Sequence, residues 1–439
     1  MLAAGHATPA LAIRPAARMH ATLLRSEPAK GSRLTTSPAR IYLVFSEEVE
    51  PSLGAIRLVG PGGRVVTLKP AGDPRNVSAL VAPVATTLEA GTWRVEWRIV
   101  SEDGHPIDGD FSFAVAGAAA ESTSTAAPPP SRGAEPPDHA TMEHPAAAAD
   151  TAATPSGTRP ALQQVPYLAA LLRGIGIGLL TAFAGLLWFL ETRRDRARQP
   201  RSERLALWFA LAMGLPLALH FVVWAVEVSP DGSITAEHMA AMAASHVGRV
   251  EMVRDALALL AGWAMLLARR PRLALAFAVA SLLVSSATGH SAAIHPAWTI
   301  PMRGLHLFAI AAWFGGLLWL LTFERSSVAV MSAEAERVSS HALVAVIVVA
   351  LTGVIQTKFF IGEWGELLRS AYGAVTIVKL AGLTGLVLFG AHHRFRVMPR
   401  LAEAGVADDF SRSLRREVVL LSLVMLVGGL LAYVPPPQH

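Results

Sequence analysis

The sequence predicts a multi-domain membrane protein: a small β-sandwich at the N-terminus, followed by an all-α bundle of eight transmembrane helices. Its 439 residues are too many for one ordinary domain. The chain is 52% hydrophobic and only 16% charged, a composition typical of a largely membrane-embedded protein. Apolar and polar residues alternate in the N-terminal part, whereas long apolar segments recur from residue 165 onward.

Composition also excludes several kinds of chemistry. The chain has no cysteine, so disulfides, zinc–thiolate sites and thiolate copper sites are excluded. Any soft-metal chemistry must then use histidine and methionine. The formal net charge of +5 comes mainly from arginines in short loops between apolar segments. Such arginines indicate membrane topology and not nucleic-acid binding.

Residues 20–115 are expected to form the β-sandwich. Trp93, Val95 and Trp97 alternate with charged residues, which is the pattern of a half-buried strand. Several short strands separated by turn signals favour a sandwich. Residues 1–19 form an N-terminal extension or a poor signal segment, because they lack an early positive charge and a small-residue cleavage site.

The rest of the chain divides into a linker and a helical region. Residues 116–164 are rich in Ala, Pro, Ser, Thr and Gly without periodicity, so we expect a flexible tether there. Residues 165–434 form the helical region, and each of its apolar segments is long enough to cross a bilayer. The eight predicted spans lie near 165–190, 204–227, 248–268, 272–289, 302–323, 341–360, 373–391 and 416–434.

Loop charge predicts the orientation of these spans. Arginines are concentrated in the loops after the first, third and seventh spans, whereas the loop 228–247 has neither Lys nor Arg. By the positive-inside rule the arginine-rich loops are cytoplasmic. We therefore expect a multi-pass membrane protein, with the β-sandwich and the C-terminus outside the cytoplasm.

Potential metal ligands cluster at the predicted outer ends of spans two to five. The cluster consists of His238, Met239, Met242, His246, His290, His295, Met302 and His306. His238, Met242 and His246 have the i, i+4, i+8 spacing of one helical face. Mixed imidazole and thioether donors suit Cu(I) and tolerate Cu(II). The alternative stays open that these are ordinary residues of a membrane edge.

A few other ionisable residues fall inside the predicted spans, where charges are costly and usually functional. Arg254 and Asp255 could pair with each other or with a neighbour. His220 is a deeper ligand or a structural hydrogen-bond partner, and Lys379 is a charge with no partner evident from the sequence.

The β region resembles the CopC copper-resistance domain in two segments, HATLLRSEP at 20–28 and WRIVSEDGHP at 97–106. The resemblance implies a Greek-key β-sandwich that binds Cu(II) in the periplasm. It also implies His20, Asp103 and His105 as ligands, together with the amine of a mature N-terminus. Two imidazoles and a carboxylate are donors suited to tetragonal Cu(II).

The helical region resembles the CopD copper-resistance membrane protein. The resemblance lies in TGH at 288–290, LH at 305–306, AWFGGL at 312–317, AYG at 371–373, and Lys379. It implies copper transport across the cytoplasmic membrane, and a CopC domain ahead of a CopD domain is an arrangement of copper-uptake proteins. We expect the copper ligands of this region to include His290, His306, His238, Met242 and His246.

The main hypothesis is therefore a non-enzymatic protein that captures Cu(II) on the β domain and passes it to a His/Met-lined membrane site, for import. Its expected partners are copper ions, the lipid bilayer and periplasmic copper chaperones, without nucleic acid. No nucleotide-binding loop of the GxxxxGK[ST] type is present. The alternatives are a chaperone for extracytoplasmic copper enzymes without flux, a haem-binding redox protein, and a copper oxidase.

Overall fold

The computed structural model describes residues 21–102, 104–116, 166–192, 200–293, 295–324, 326–403 and 405–437. Two predicted copper ligands, His20 and Asp103, lie outside the described residues. The expected extension 1–19 also lies outside them, as does all of the expected linker 116–164 except its first residue.

The N-terminal part forms two β-sheets. Its strands are β1 Leu23–Glu27, β2 Arg33–Leu34, β3 Arg40–Phe45, β4 Val49–Val59, β5 Val65–Leu68, β6 Ala71–Asp73, β7 Asn76–Pro83, β8 Gly91–Ser101 and β9 Pro106–Val115. One sheet has the order β1-β3-β7-β6 and the other β2-β9-β8-β4-β5. The strand pairs are antiparallel except for β2 with β9, which is parallel.

The core of this domain lies between the two sheets. Along β8, Trp93 and Val95 are fully buried, and the alternate residues Arg94 and Glu96 face outward, so the predicted half-buried strand is confirmed. Phe45 of the opposite sheet packs edge-on against Trp97 with 5.2 Å between ring centroids. This arrangement leaves the loop between β8 and β9 at one end of the domain.

The C-terminal part is helical. Its helices are α1 Tyr167–Thr192, α2 Pro200–Ala212, α3 Gly214–Val228, α4 Ala236–Ala244, α5 His246–Leu266, α6 Pro271–Val284, α7 His290–Ala293, α8 Pro296–Leu321, α9 Val328–Ile361, α10 Glu366–Arg369, α11 Ala371–His392 and α12 Val406–Leu431. A π-helical turn, His393–Val397, continues α11.

Among the described residues, five helical stretches are long and apolar enough to cross a membrane. They are Tyr167–Thr192, Pro200–Val228, Pro296–Leu321, Val328–Ile361 and Ala371–Arg400. The region is therefore that of a multi-pass membrane protein. Helices also occupy the other three predicted positions, as α5, α6 and α12. Eight crossings remain a prediction, because these three helices are shorter or carry more charge.

The centre of the bundle is the contact between α1 and α8. In their most apolar stretches 67% and 78% of residues are buried, against 22% in α9 and 17% in α11. Gly185 and Gly315 allow this close approach, since a Cβ added at Gly185 would lie 1.8 Å from the carbonyl oxygen of Ala311. Small residues at such a crossing are typical of packed membrane helices.

Candidate functional site at the domain junction

The β domain packs directly onto one end of the helical region. Leu53 and Val100 of the sheet form a buried cluster with Trp224, Met242 and other residues of α3 to α5. These side chains are at most 4% exposed, so the contact excludes water as a protein core does. The β domain is thus docked on the helices and does not merely precede them in the chain.

Two hydrogen bonds hold β8 and the loop that follows it at this contact. The indole Nε1 of Trp224 donates to the carbonyl oxygen of Gly104 at 3.1 Å. The Arg98 guanidinium donates to the carbonyl oxygen of Glu227 at 2.6 Å. Gly104 has φ +88°, a conformation that glycine adopts without strain, and a Cβ added there would lie 2.9 Å from Val247 Cγ1.

The β domain also caps a helix of the other domain. A side-chain oxygen of Glu50 accepts hydrogen bonds from the backbone N–H groups of His246 and Val247, at 2.7 and 3.2 Å. These groups start α5, where N–H groups lack partners within the helix. The negative charge also suits the positive end of the helix dipole. Ser245 adds the intrahelical cap, because its Oγ accepts from Gly248 N at 3.0 Å.

The docking brings two predicted copper ligands together. The imidazole rings of His105 and His290 stack with 5.8 Å between centroids and 25° between planes. His105 follows the Gly104 turn, and His290 is the first residue of α7 and only 4% exposed. Tyr433 lies edge-on to His105 at 5.2 Å, and Phe360 and Tyr372 lie 6.0 Å from His290. The two imidazoles therefore share one site with aromatic walls.

A buried polar network lies beside this site. The Tyr433 hydroxyl is 2.7 Å from His220 Nε2, and His220 Nδ1 is 3.7 Å from a Glu251 oxygen. Glu251 is 2% exposed and lies between two arginines: Arg173 donates to it at 3.1 Å, and Arg254 is ion-paired with it. Such a carboxylate is tolerated inside a bundle because both of its neighbours carry the opposite charge.

The same network reaches the loop before His290. Arg173 donates to Thr288 Oγ1 at 3.1 Å, and that hydroxyl lies 3.2 Å from Glu251 Oε1. Since Thr288 is two residues before His290, the network supports the position of the imidazole. Sequence reasoning missed Arg173 and Glu251. Their position inside predicted apolar spans was the available signal.

Two further expectations from the sequence can be compared with the structure. Arg254 does pair with Asp255, at 2.8 Å from its Nε. The expectation of one helical face for His238, Met242 and His246 is wrong. Helix α4 ends at Ala244, and Ser245 begins a new helix with His246 as its first residue.

These three residues have different environments. His238 Nε2 lies 2.9 Å from the carbonyl oxygen of Ala225. Met242 is fully buried in the cluster that joins Leu53 and Val100 to Trp224, called the docking cluster below, and His246 is exposed. His306 is 8% exposed, and its Nδ1 lies 2.7 Å from Thr352 Oγ1. Within the described ranges, no group of three or more His, Cys, Asp or Glu side chains could hold a metal ion. Of the predicted ligands, the structure thus brings His105 and His290 into contact.

The fold and the junction define a membrane protein that carries an imidazole-bearing β domain docked on its helical bundle. The family model of the CopC domain matches residues 23–116, and that of Copper resistance protein D matches residues 332–431. The chain belongs to the family of CopC–CopD copper-resistance fusions.

Individual relatives agree with this assignment. Copper transport protein CutJ of Bacillus subtilis (strain 168) is 26% identical over 440 residues, covering 96% of this chain and 75% of the relative. Protein YobA of Escherichia coli (strain K12) is 34% identical over 104 residues, 24% of this chain and 84% of the relative. Copper resistance protein C of Pseudomonas syringae pv. tomato is 36% identical over 108 residues, 23% of this chain and 82% of the relative.

Among solved structures, CopC from Methylosinus trichosporium OB3b is 28% identical, with a TM-score of 0.22. The match covers 22% of this chain and 95% of that chain.

Proposed function

We propose that this protein captures Cu(II) with His20, Asp103 and His105 outside the cytoplasmic membrane. It then passes copper to His290 for import and catalyses no reaction. The observation that carries the proposal is the stacking of His105 on His290 across the junction, at 5.8 Å between centroids. At that separation copper can exchange one imidazole for the other without leaving the protein. Imidazole nitrogen is a good donor to both copper oxidation states.

The surroundings of the two histidines support transfer. The aromatic rings of Tyr433, Phe360 and Tyr372 exclude water from one side of the site. The Trp224–Gly104 hydrogen bond holds the β8–β9 loop, which carries His105. A relative that aligns with nearly the whole chain is named a copper transport protein, which agrees with this role.

The wider arrangement belongs to the same proposal. The β domain is a Greek-key sandwich on the periplasmic side of the bacterial inner membrane, and eight helices cross that membrane. Beyond His290, copper reaches His306 as Cu(I) or Cu(II), and periplasmic copper chaperones supply the β domain. His238, Met242 and His246 stay as predicted ligands, with weaker support, because Met242 is packed in the docking cluster.

Intracellular copper is the measurement that tests import. We expect cells expressing the wild type at low external copper to accumulate copper, and His105→Ala and His290→Ala each to abolish the increase. The matched control is His341→Ala, because His341 is exposed and does not take part in the junction. Its contacts are a hydrogen bond to the Arg337 carbonyl and an edge-on ring contact with Phe189.

Two other outcomes would contradict import. If internal copper is unchanged while an extracytoplasmic copper enzyme depends on the same histidines, the protein is a chaperone. If the purified protein shows a Soret band, the haem-binding alternative takes its place.

A further inference from the structure

A cavity of about 200 Å³ lies at the end of the bundle remote from the β domain, between α8, α9, α11 and α12. Its inner wall includes Phe410 and Leu414, which are 2% and 1% exposed. Its mouth includes Leu343, Val387 and Phe395, which are 50%, 40% and 71% exposed. Large exposed apolar side chains at such an opening are typical of a surface that contacts lipid.

Arg394 and Ser339 provide the polar part of this mouth. Both line the cavity, and Arg394 Nη1 donates to Ser339 Oγ at 2.9 Å. Arg394 is exposed and lies on the π-helical turn His393–Val397, a kind of turn common at functional sites.

The charge of Arg394 is not balanced within the described part of the chain, where no carboxylate lies within 4 Å of it. Arg396 and Arg416 likewise have no acidic partner within 4 Å among the described residues, but they do not line the cavity. Four other arginines at this end do have acidic partners. They are Arg337 with Glu334, Arg400 with Glu403, Arg412 with Asp409, and Arg415 with Glu324. The cavity mouth therefore carries a guanidinium whose charge is available to a ligand.

The carboxylate inside the cavity does not supply that balance. Glu417 is 1% exposed and lies 3.1 Å from His393 Nδ1, while His393 Nε2 is 2.7 Å from Ser413 Oγ. The Glu417 carboxylate thus lies beside His393, and among the described residues it forms no ion pair with Arg394. A ligand with an apolar end inside and a negative charge at the mouth fits both parts.

We propose that the cavity binds an anionic phospholipid, with one acyl chain inside and the phosphate at Arg394 and Ser339. The cavity is smaller than the roughly 300–1,000 Å³ pockets that enclose drug-sized ligands, so it holds a chain and not a whole molecule. Basic pockets between membrane helices on the cytoplasmic side commonly bind lipid head groups. Free phosphate would leave the apolar cavity without a role.

Native mass spectrometry of the full-length protein tests the proposal, using mixed micelles that contain phosphatidylglycerol or phosphatidylcholine. We expect about fivefold more retained phosphatidylglycerol, since one arginine near an anionic group contributes on that order. Arg394→Gln should remove the preference. Its matched control, Arg412→Gln, should keep it, because Arg412 does not line the cavity.

A second pair of variants tests the chain position. Gly390 lines the cavity, and a Cβ built there meets no atom within 4 Å, so the backbone at this position leaves room for a side chain. We expect Gly390→Leu to occupy cavity volume and to lower retention of both lipids. Gly428→Leu is the control, because a Cβ at Gly428 also meets no atom and Gly428 does not line the cavity. Equal retention of the two lipids, no effect of Arg394→Gln or no effect of Gly390→Leu would each overturn the proposal. The proposal would also be overturned if millimolar inorganic phosphate displaced phosphatidylglycerol equally from the wild type and from the Gly390→Leu variant.

Discussion

Glu251 illustrates how single residues stabilise the membrane part of this protein. Its buried carboxylate lies between Arg173 and Arg254 and also accepts from the hydroxyl of Thr288. Neither arginine is more than 8% exposed, so neither can recover its hydration if the carboxylate is neutralised.

Glu251→Gln should therefore destabilise the folded protein strongly. Removing one partner of a buried ion pair costs about 3–5 kcal/mol, because the remaining charge stays buried without compensation. Thermal unfolding of the full chain in detergent should show a clearly lower midpoint. Glu203→Gln on the exposed face of α2 is the control and should change little. A midpoint equal to the wild type in both variants would show that the network does not carry stability.

At the scale of secondary-structure elements, the start of α5 connects the two domains. Ser245 caps the helix from within, and Glu50 of the β domain accepts from its first N–H groups. One helix terminus thus depends on a side chain that is far away in the sequence.

Glu50→Ala should loosen this terminus by about 0.5–2 kcal/mol, the usual effect of losing a cap. Hydrogen exchange of the backbone amides at 246–248 should become faster, while amides in the middle of α5 keep their protection. Glu48→Ala is the matched control, since Glu48 is exposed two residues earlier. If exchange at 246–248 does not change, the inter-domain cap contributes nothing to docking.

At the scale of the whole molecule, the proposed copper transfer from His105 to His290 requires that the β domain is docked on the helices while transfer takes place. Lys69 of the β domain and Glu237 of α4 are 2.7 Å apart across the domains, at the edge of the contact. Their hydrogen bond raises the pKa of Lys69 and lowers the pKa of Glu237. Both are highly exposed, so the pair contributes little to docking and can be replaced.

The absence of cysteine allows a direct test of this arrangement. Lys69→Cys with Glu237→Cys should be linked by a short bis-maleimide, so that the domains stay together after cleavage at a protease site inserted between 117 and 165. Single-cysteine variants are the controls and should separate. The linked protein should still import copper. Loss of import on linking would show that the domains must separate for transfer, which contradicts direct transfer from His105 to His290.

Local patterns explain which features could be predicted. The strand at Trp93 and Val95 was predictable because side-chain alternation is a property of neighbouring residues. The pairing of Arg254 with Asp255 was predictable because the two residues are adjacent in the sequence. The break at Ser245 was missed, although a serine before a helix start is a capping signal.

The sequence by itself determined the two-part organisation, the lack of thiolate ligands in a chain without cysteine, and the family resemblance of both parts. These follow from composition, periodicity and short motifs, which act over a few residues at a time. Only the tertiary structure decided that His105 meets His290, that Glu251 joins Arg173, and that Glu50 caps α5. Each of these contacts joins residues far apart in the chain, and their position depends on the packing of whole helices and sheets.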